Sequence, residues 1–347
     1  MLCKDLADAE YFDCDLPSVR ERLRDPETFW RNASGPRVVL DEIHQLPDPS
    51  LVLKIAADHF PERPVIATGS STLSATAKFS DALTGRKAEI WLTPMISEDL
   101  VSFGGTLERR LWHGGLPPLF LADAESLPTD YAEWLSSYWA RDIQLLFRVQ
   151  QRSAFLRFVE LVLARSGGMF EATAFAEACE VSRPTILNYL NVLEVTGVAT
   201  VVRPFSSRRT TEIVAMPKVY GFDTGFVRYS AGWQIPRQED LGLLWEHYVL
   251  NEILARVTGV DIRYWRAKRG PEVDFVIVRR GVAPVAVECK WSSTNAGDLA
   301  GLRAFRRSYP EGVDLVVCAD TEKAHTRRVA ERDVQFVGIG GLVHALA

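Results

Sequence analysis

Cysteine is scarce: five residues, Cys3, Cys14, Cys179, Cys289 and Cys318, with no CxxC spacing anywhere. An odd, scattered set excludes a zinc ribbon and a disulfide framework, and fits a reducing cytosol. No apolar run approaches the ~18 residues that a membrane span needs. The opening stretch MLCKDLADAEYFDCDLP is too acidic and too polar for a secretory signal. A basic excess is also missing. Net charge is −5, so any nucleic-acid surface must be a local patch. Internal repeats and low-complexity segments are absent. These absences together predict a cytoplasmic protein with no membrane partner.

What remains is an ordinary globular composition, 47% hydrophobic and 24% charged, over 347 residues. That length exceeds what one hydrophobic core serves, so two or three domains are expected. Over roughly 1–100, β-like runs (RVVLDEI, PVIATGSS) alternate with helix-like runs (DPSLVLKIAADHF, LSATAKFSDAL), the pattern of an α/β parallel sheet. A less regular stretch, SFGGTLERRLWHGGLPPLFL, leads to a long helix predicted from Pro128 to about Gln151. Between 152 and 225 the pattern reads helix, short helix, turn at Val181-Ser182, helix, strand pair. Ser182 suits the N-cap and Pro184 the first turn of the helix that begins near Arg183, and Gly197 stops it. That is the order of a winged helix-turn-helix. From about 240 the periodicity gives a helix (LGLLWEHYVLNEILARV), three strands (DIRYWRA, EVDFVIVRR, APVAVECKW), a helix (DLAGLRAFRRSYP) and a strand (DLVVCAD), an αβββαβ order, with a further helix and strands to the end.

Chemistry-bearing residues fall in all three regions. Asp274 lies in one strand, and Glu288 and Lys290 lie two apart in the next. Period two puts Glu288 and Lys290 on one face, with Val287 and Cys289 on the other. Carboxylates from neighbouring strands can hold Mg²⁺ or Mn²⁺, which activates water toward a phosphodiester, with Lys290 beside the phosphate. Glu246 on the preceding helix could add a third carboxylate. The rival reading is a buried ion pair between Lys290 and an acid. A D…ExK pair inside an αβββαβ order is the pattern of the PD-(D/E)xK nuclease fold. In the first region, RVVLDEIHQL has the form of a Walker B strand: Asp41 would hold the Mg²⁺ of a nucleotide and Glu42 would activate water. Thr68, ending the next strand, stands where a γ-phosphate can be sensed. The rival here is a solvated acidic strand end. His44 and His113 read as structural or surface residues. A phosphate cradle of the form GxxxxGK[ST] is not among the 347 residues. In the middle region Arg183, Thr185, Asn188 and Tyr189 on the second helix, with Arg203, Arg208 and Arg209 flanking the wing, are candidate DNA contacts. A docking or hinge module is the rival. Trp134, Tyr138 and Trp139 read as packing residues.

The segments VVLDEIHQLP, ATGSS followed by LTGR, HGGLP, ARDI, EVSRPTILNYLNVLE, KVYGFDTGF, LWEHYVLNEI, YWRAKRGPEVDFVI and VAVECKWSS occur in this order over residues 38–293. In these the chain resembles the prokaryotic AAA-type ATPases that carry a C-terminal nuclease-like domain of unknown function (domain 4143). The resemblance implies Asp41 and Glu42 as Walker B, Thr68 as the sensor position, and Glu246, Asp274, Glu288 and Lys290 as nuclease-like positions. It also implies ATP with Mg²⁺ as cofactors. Family members place a P-loop ending GKT just before a helix resembling MLCKDLA. Here the first residues fall inside that helix, so the expectation is either P-loop codons upstream of Met1, beyond a misassigned start or a cut, or a truncated gene, and this stretch alone is expected to bind ATP poorly. The expected fold class is α/β: a partial P-loop-type parallel-sheet domain at 1–105, a helical connector at 106–151, a winged helix-turn-helix at 152–239 and a PD-(D/E)xK nuclease-like domain at 240–347. The expected function is ATP-regulated DNA binding or metal-dependent cleavage. The alternative is a non-catalytic DNA-binding or regulatory protein with inert sites. DNA is the candidate partner, and homo-oligomers are allowed.

Overall fold

In the computed structural model, the residues described are 6, 8–69, 83, 85–88, 90–122, 128–144, 147, 149, 151–206, 216–235, 237–267, 270–297 and 299–347. They pack into two units, residues 1–90 with 141–148, and residues 91–140 with 149–347. The helix expected within LSATAKFSDAL lies outside the described residues, as do Arg208 and Arg209.

The first unit holds a three-stranded parallel sheet, β1 (Ala9–Asp13), β2 (Arg37–Asp41) and β3 (Val65–Ala67), in that order. Central β2 buries Val38, Val39 and Leu40 completely, as a parallel strand covered on both faces requires. Helices α1 (Pro17–Arg22), α2 (Pro26–Asn32) and α3 (Pro49–His59) accompany the sheet. All three begin on a proline, whose fixed φ suits the first turn. Asp25 and Asp48 cap α2 and α3 by accepting the N–H of Thr28 at 3.2 Å and of Leu51 at 3.0 Å. The strand β1 was not foreseen in the sequence.

The second unit opens with α4 (Ser97–Phe103), α5 (Leu107–His113), α6 (Pro117–Phe120) and α7 (Pro128–Tyr138), so the regular helix expected to reach Gln151 ends at Tyr138. Next come α8 (Arg152–Ala164), β4 (Gly168–Met169), α9 (Ala172–Cys179), α10 (Arg183–Val195), β5 (Ala199–Pro204), β6 (Lys218–Gly221) and α11 (Thr224–Ser230). Ser182 caps α10 through the N–H of Thr185 at 3.2 Å. Gly197, at φ +72°, turns the chain into β5, and a Cβ there would come within 2.5 Å of Trp91. The C-terminal part gives α12 (Gln238–Arg256), β7 (Asp261–Arg266), β8 (Glu272–Val278), β9 (Val285–Lys290), α13 (Ala300–Ser308) and β10 (Asp314–Cys318), the αβββαβ order read from periodicity. It ends with β11 (His325–Val329), β12 (Arg332–Val337) and α14 (Ile339–Leu346).

One mixed nine-stranded sheet, ordered β11-β12-β10-β9-β8-β7-β5-β6-β4, runs through all of this. The middle and C-terminal parts join where β5 meets β7 in parallel, Arg203 opposite Arg263 and Pro204 opposite Tyr264. Alternation sorts the two faces: Leu315 and Val317 of β10 join the core with Leu244, Trp245 and Tyr248 of α12, while Val316 and Cys318 join Leu302 and Phe305 of α13. The α12 core also takes Met95, Leu111 and Phe120 from the start of the unit. There Glu252 of α12, fully buried, accepts the N–H of Ser97 at 2.6 Å, and Asn251 donates to the carbonyl of Pro94 at 2.9 Å. The HGGLP and FDTGF motifs meet in a buried polar knot. Asp223 accepts the N–H of Gly115 at 2.6 Å, and the buried Arg110 guanidinium donates to Thr224 at 2.9 Å. The described cysteines are free and buried. Among the described residues, no helix is long and apolar enough to cross a membrane.

Candidate functional site

Asp274 and Glu288 lie on adjacent antiparallel strands, one step beyond the pair Phe275–Val287. There the ladder gives way to a side chain: Asp274 Oδ2 accepts the N–H of Cys289 at 2.7 Å. Lys290 Nζ donates to Glu288 Oε1 at 2.9 Å, the same-face relation that period two predicts. The rival reading of the sequence, an ion pair between Lys290 and an acid, is therefore realised in the geometry. The other oxygen, Glu288 Oε2, is buried with no hydrogen-bond partner. Gly301 of α13 stands against it: a Cβ there would lie 3.4 Å from Glu288 Oε2 and 1.8 Å from the Glu272 carbonyl.

Glu246 of α12 reaches the same cluster, held by residues that sequence reasoning missed. Tyr220 donates its hydroxyl to Glu246 Oε1 at 2.5 Å, and Lys218 Nζ stands 3.7 Å from that oxygen and 3.3 Å from Glu272 Oε1. Lys218 and Tyr220 sit two apart on β6, a strand buried throughout. A lysine and a tyrosine at period two in KVYG were the available signal.

Burial dominates the electrostatics. It pushes the Asp274 carboxyl up to about 7, with Glu246 adding repulsion, and the Glu288 carboxyl up to about 8, with Asp274 adding repulsion. Burial raises Glu246 as well, against the pull of Lys218 and Tyr220. For Lys218, burial works downward, but Glu246, Asp274 and Glu272 together hold it above its ordinary value. Lys290 is likewise raised, burial being outweighed by Glu288. Among the described residues, no three His, Cys, Asp or Glu side chains converge closely enough to hold a metal ion.

At the end of β2 the acids are arranged otherwise. Asp41 accepts hydroxyls from Tyr11 and Thr68, one on each carboxylate oxygen. Glu42 follows at φ +54°, a left-handed conformation costing a non-glycine residue about 1 kcal/mol. It is held by its N–H to Thr68 Oγ1 at 3.1 Å, and its carboxylate meets His44 Nδ1 at 3.1 Å. Asp41, Glu42 and Thr68 thus form one constellation, and His44 belongs to it. His113 is buried on α5.

On α10, Arg183 and Asn188 are exposed, while Thr185 is half-buried with its hydroxyl 2.8 Å from Ser182 Oγ. Tyr189 is 3% exposed, its ring 5.1 Å from Phe155 and 5.9 Å from Phe158, so the ring packs inside the helical layer. Arg203 is exposed and stands 3.6 Å from Glu194. Tyr138 is buried, as expected of packing, and its hydroxyl meets Thr196 Oγ1 at 2.6 Å.

Comparison with known proteins divides the chain in three. Residues 104–236 match a domain of unknown function (DUF8612), and residues 241–334 match another (DUF4143). Two uncharacterized proteins, Mb2031c of Mycobacterium bovis and Rv2008c of Mycobacterium tuberculosis, are each 29% identical over 295 residues, 82% of this chain and 65% of the relative. The chain thus spans about two thirds of the length of these curated relatives. Residues 1–101 match an AAA domain, so the sheet that carries Asp41, Glu42 and Thr68 is AAA-like.

Proposed function

We propose that this chain is part of an AAA-type ATPase whose C-terminal region acts on a nucleic-acid phosphodiester. The observation that carries the second half is Glu288 Oε2: a buried carboxylate oxygen without a partner, beside Asp274, in a site where burial and crowding disfavour bare anions. Such an oxygen fits a divalent cation, for which Asp274 and Glu288 would be the ligands, with Glu246 as a third. Bound there, Mg²⁺ or Mn²⁺ would supply an activated water. Lys290, already directed at Glu288 Oε1, would neutralise charge on the attacked phosphate. In the AAA-like sheet, Asp41 is the residue to hold nucleotide Mg²⁺, Thr68 to sense the terminal phosphate and Glu42 to orient water. The helix-turn-helix of α9 and α10, read as a winged helix with β5 and β6, would present Arg183 and Asn188 to DNA.

Metal and cleavage assays test this. Wild-type chain should bind Mn²⁺ and nick plasmid DNA. Glu288→Ala should lose both, and Lys290→Ala should keep metal binding while losing cleavage. Equal nicking by Lys290→Ala and wild type would refute the assignment. A second reading, a regulatory protein with an inert site, is favoured by one observation: two lysines, Lys218 and Lys290, are already seated among these acids. It predicts DNA binding with no metal-dependent nicking.

A further inference from the structure

Lys218 comes from β6, in the part of the chain that precedes α12, and its side chain is 5% exposed. A buried ammonium is costly unless acids surround it, and here they do: Glu246 Oε1 at 3.7 Å and Glu272 Oε1 at 3.3 Å, with Asp274 contributing to its field. The same oxygen of Glu246 accepts the Tyr220 hydroxyl at 2.5 Å. Two neighbours on β6 therefore hold one oxygen of the α12 carboxylate, the carboxylate that would complete a metal set with Asp274 and Glu288. Meanwhile Glu288 Oε2 stays without a partner, and among the described residues no three acids converge. Two cations are present, Lys290 on Glu288 Oε1 and Lys218 placed toward Glu246 and Glu272, and the ligand set is held open.

We propose that the Lys218 ammonium is the resident counter-cation on the Glu246 side of this acid cluster, and that a divalent cation binds at Asp274 and Glu288 with Glu246 as third ligand only by displacing it from Glu246. This rests on the reading of Asp274 and Glu288 as metal ligands. A positive charge a few ångströms away repels an incoming divalent ion, and it occupies the third carboxylate. β6 thereby sets the metal affinity of a site whose ligands lie on α12, β8 and β9. Any partner that shifts β6 would change that affinity without touching the ligands.

The test is Mn²⁺ titration calorimetry on the full chain at neutral pH, with wild type, Lys218→Met, Tyr220→Phe and Lys218→Met/Glu288→Gln. Lys218→Met should bind Mn²⁺ roughly tenfold tighter or more, from removal of one nearby like charge. Tyr220→Phe, which keeps the ring and removes one of the two β6 groups on Glu246 Oε1, should gain about two- to threefold. The double variant should bind none, placing the gain at this site. Should Lys218→Met fail to fold by circular dichroism, Tyr220→Phe decides, and an unchanged affinity there overturns the proposal. Equal or weaker binding by a folded Lys218→Met, with binding still abolished by Glu288→Gln, sinks the displacement while leaving the site standing. Absence of Mn²⁺ binding in every protein sinks both.

Discussion

The chain carries acids on two strands, Asp41 at the end of β2 and Glu288 within β9, and treats them in opposite ways. At β2, Asp41 has a neutral hydroxyl on each oxygen, from Tyr11 and Thr68. At β9, Glu288 has an ammonium on one oxygen and nothing on the other, with Asp274 beside it. Hydroxyl donors satisfy a carboxylate without neutralising it, and both oxygens of Asp41 are met in that way. Burial without enough donors makes the other site an unstable anion, one that must take up a proton, a lysine or a metal. An acid on a strand, met in a sequence, says nothing about which of these environments it will meet.

Added cation should separate the two sites most. At pH 8, Mn²⁺ at a hundredfold excess over its dissociation constant should stabilise wild type by about 2.7 kcal/mol, and Glu288→Gln should gain nothing. Hydrogen exchange across residues 285–290 reads this out, and equal protection in the variant would break the contrast. The pH dependence has a definite sign. Asp274 and Glu288 rise from ordinary values of 3.8 and 4.5 to about 7 and about 8, so the folded state holds protons that the unfolded chain releases. Their contribution is complete below about pH 4 and is lost as pH rises toward 8. Guanidinium melts of Asp274→Asn/Glu288→Gln should accordingly decline less over that range than wild type, and a steeper decline would reverse the argument.

Next in size is Gly301→Ala. Its Cβ would lie 1.8 Å from the Glu272 carbonyl, so α13 must move off β8 at a cost of about 1–3 kcal/mol. A variant as stable as wild type would show that the acids are not closed in from that side. At β2, Thr68→Val removes a hydroxyl from Asp41 and should cost about 1–1.5 kcal/mol, measured as faster amide exchange over residues 37–42. His44→Gln should be smallest, under about 0.5 kcal/mol, because Glu42 is 43% exposed and water screens the pair. A larger loss would mean that His44 holds the strained Glu42 backbone.

Residues whose partners lie close in sequence, or whose pattern repeats, were legible. Ser182 with Pro184 gave the start of α10, and alternation gave β8, β9 and β10, hence the face shared by Glu288 and Lys290. The burial of Tyr189 was legible as well, in the stripe Ile186, Tyr189, Leu190, Leu193, all buried at helical spacing. Lys218 was missed. The period-two pair in KVYG is a weak signal in a strand of four residues, and the lysine's acid partner Glu272 is 54 residues away. The shared sheet was hidden too, because β5 and β7 pair over only two residues on each strand, and no local pattern announces so brief a join.

The bond from Ser97 to Glu252 spans 155 residues. On a ribosome adding about 5–20 residues per second, the backbone of Ser97 waits roughly 8–30 s for its carboxylate to be made. Through that interval Met95, Leu111 and Phe120 have no α12 to pack on. The second unit is thus committed to late closure, with its earliest segment exposed longest, and chaperone capture during synthesis should concentrate on residues 95–120.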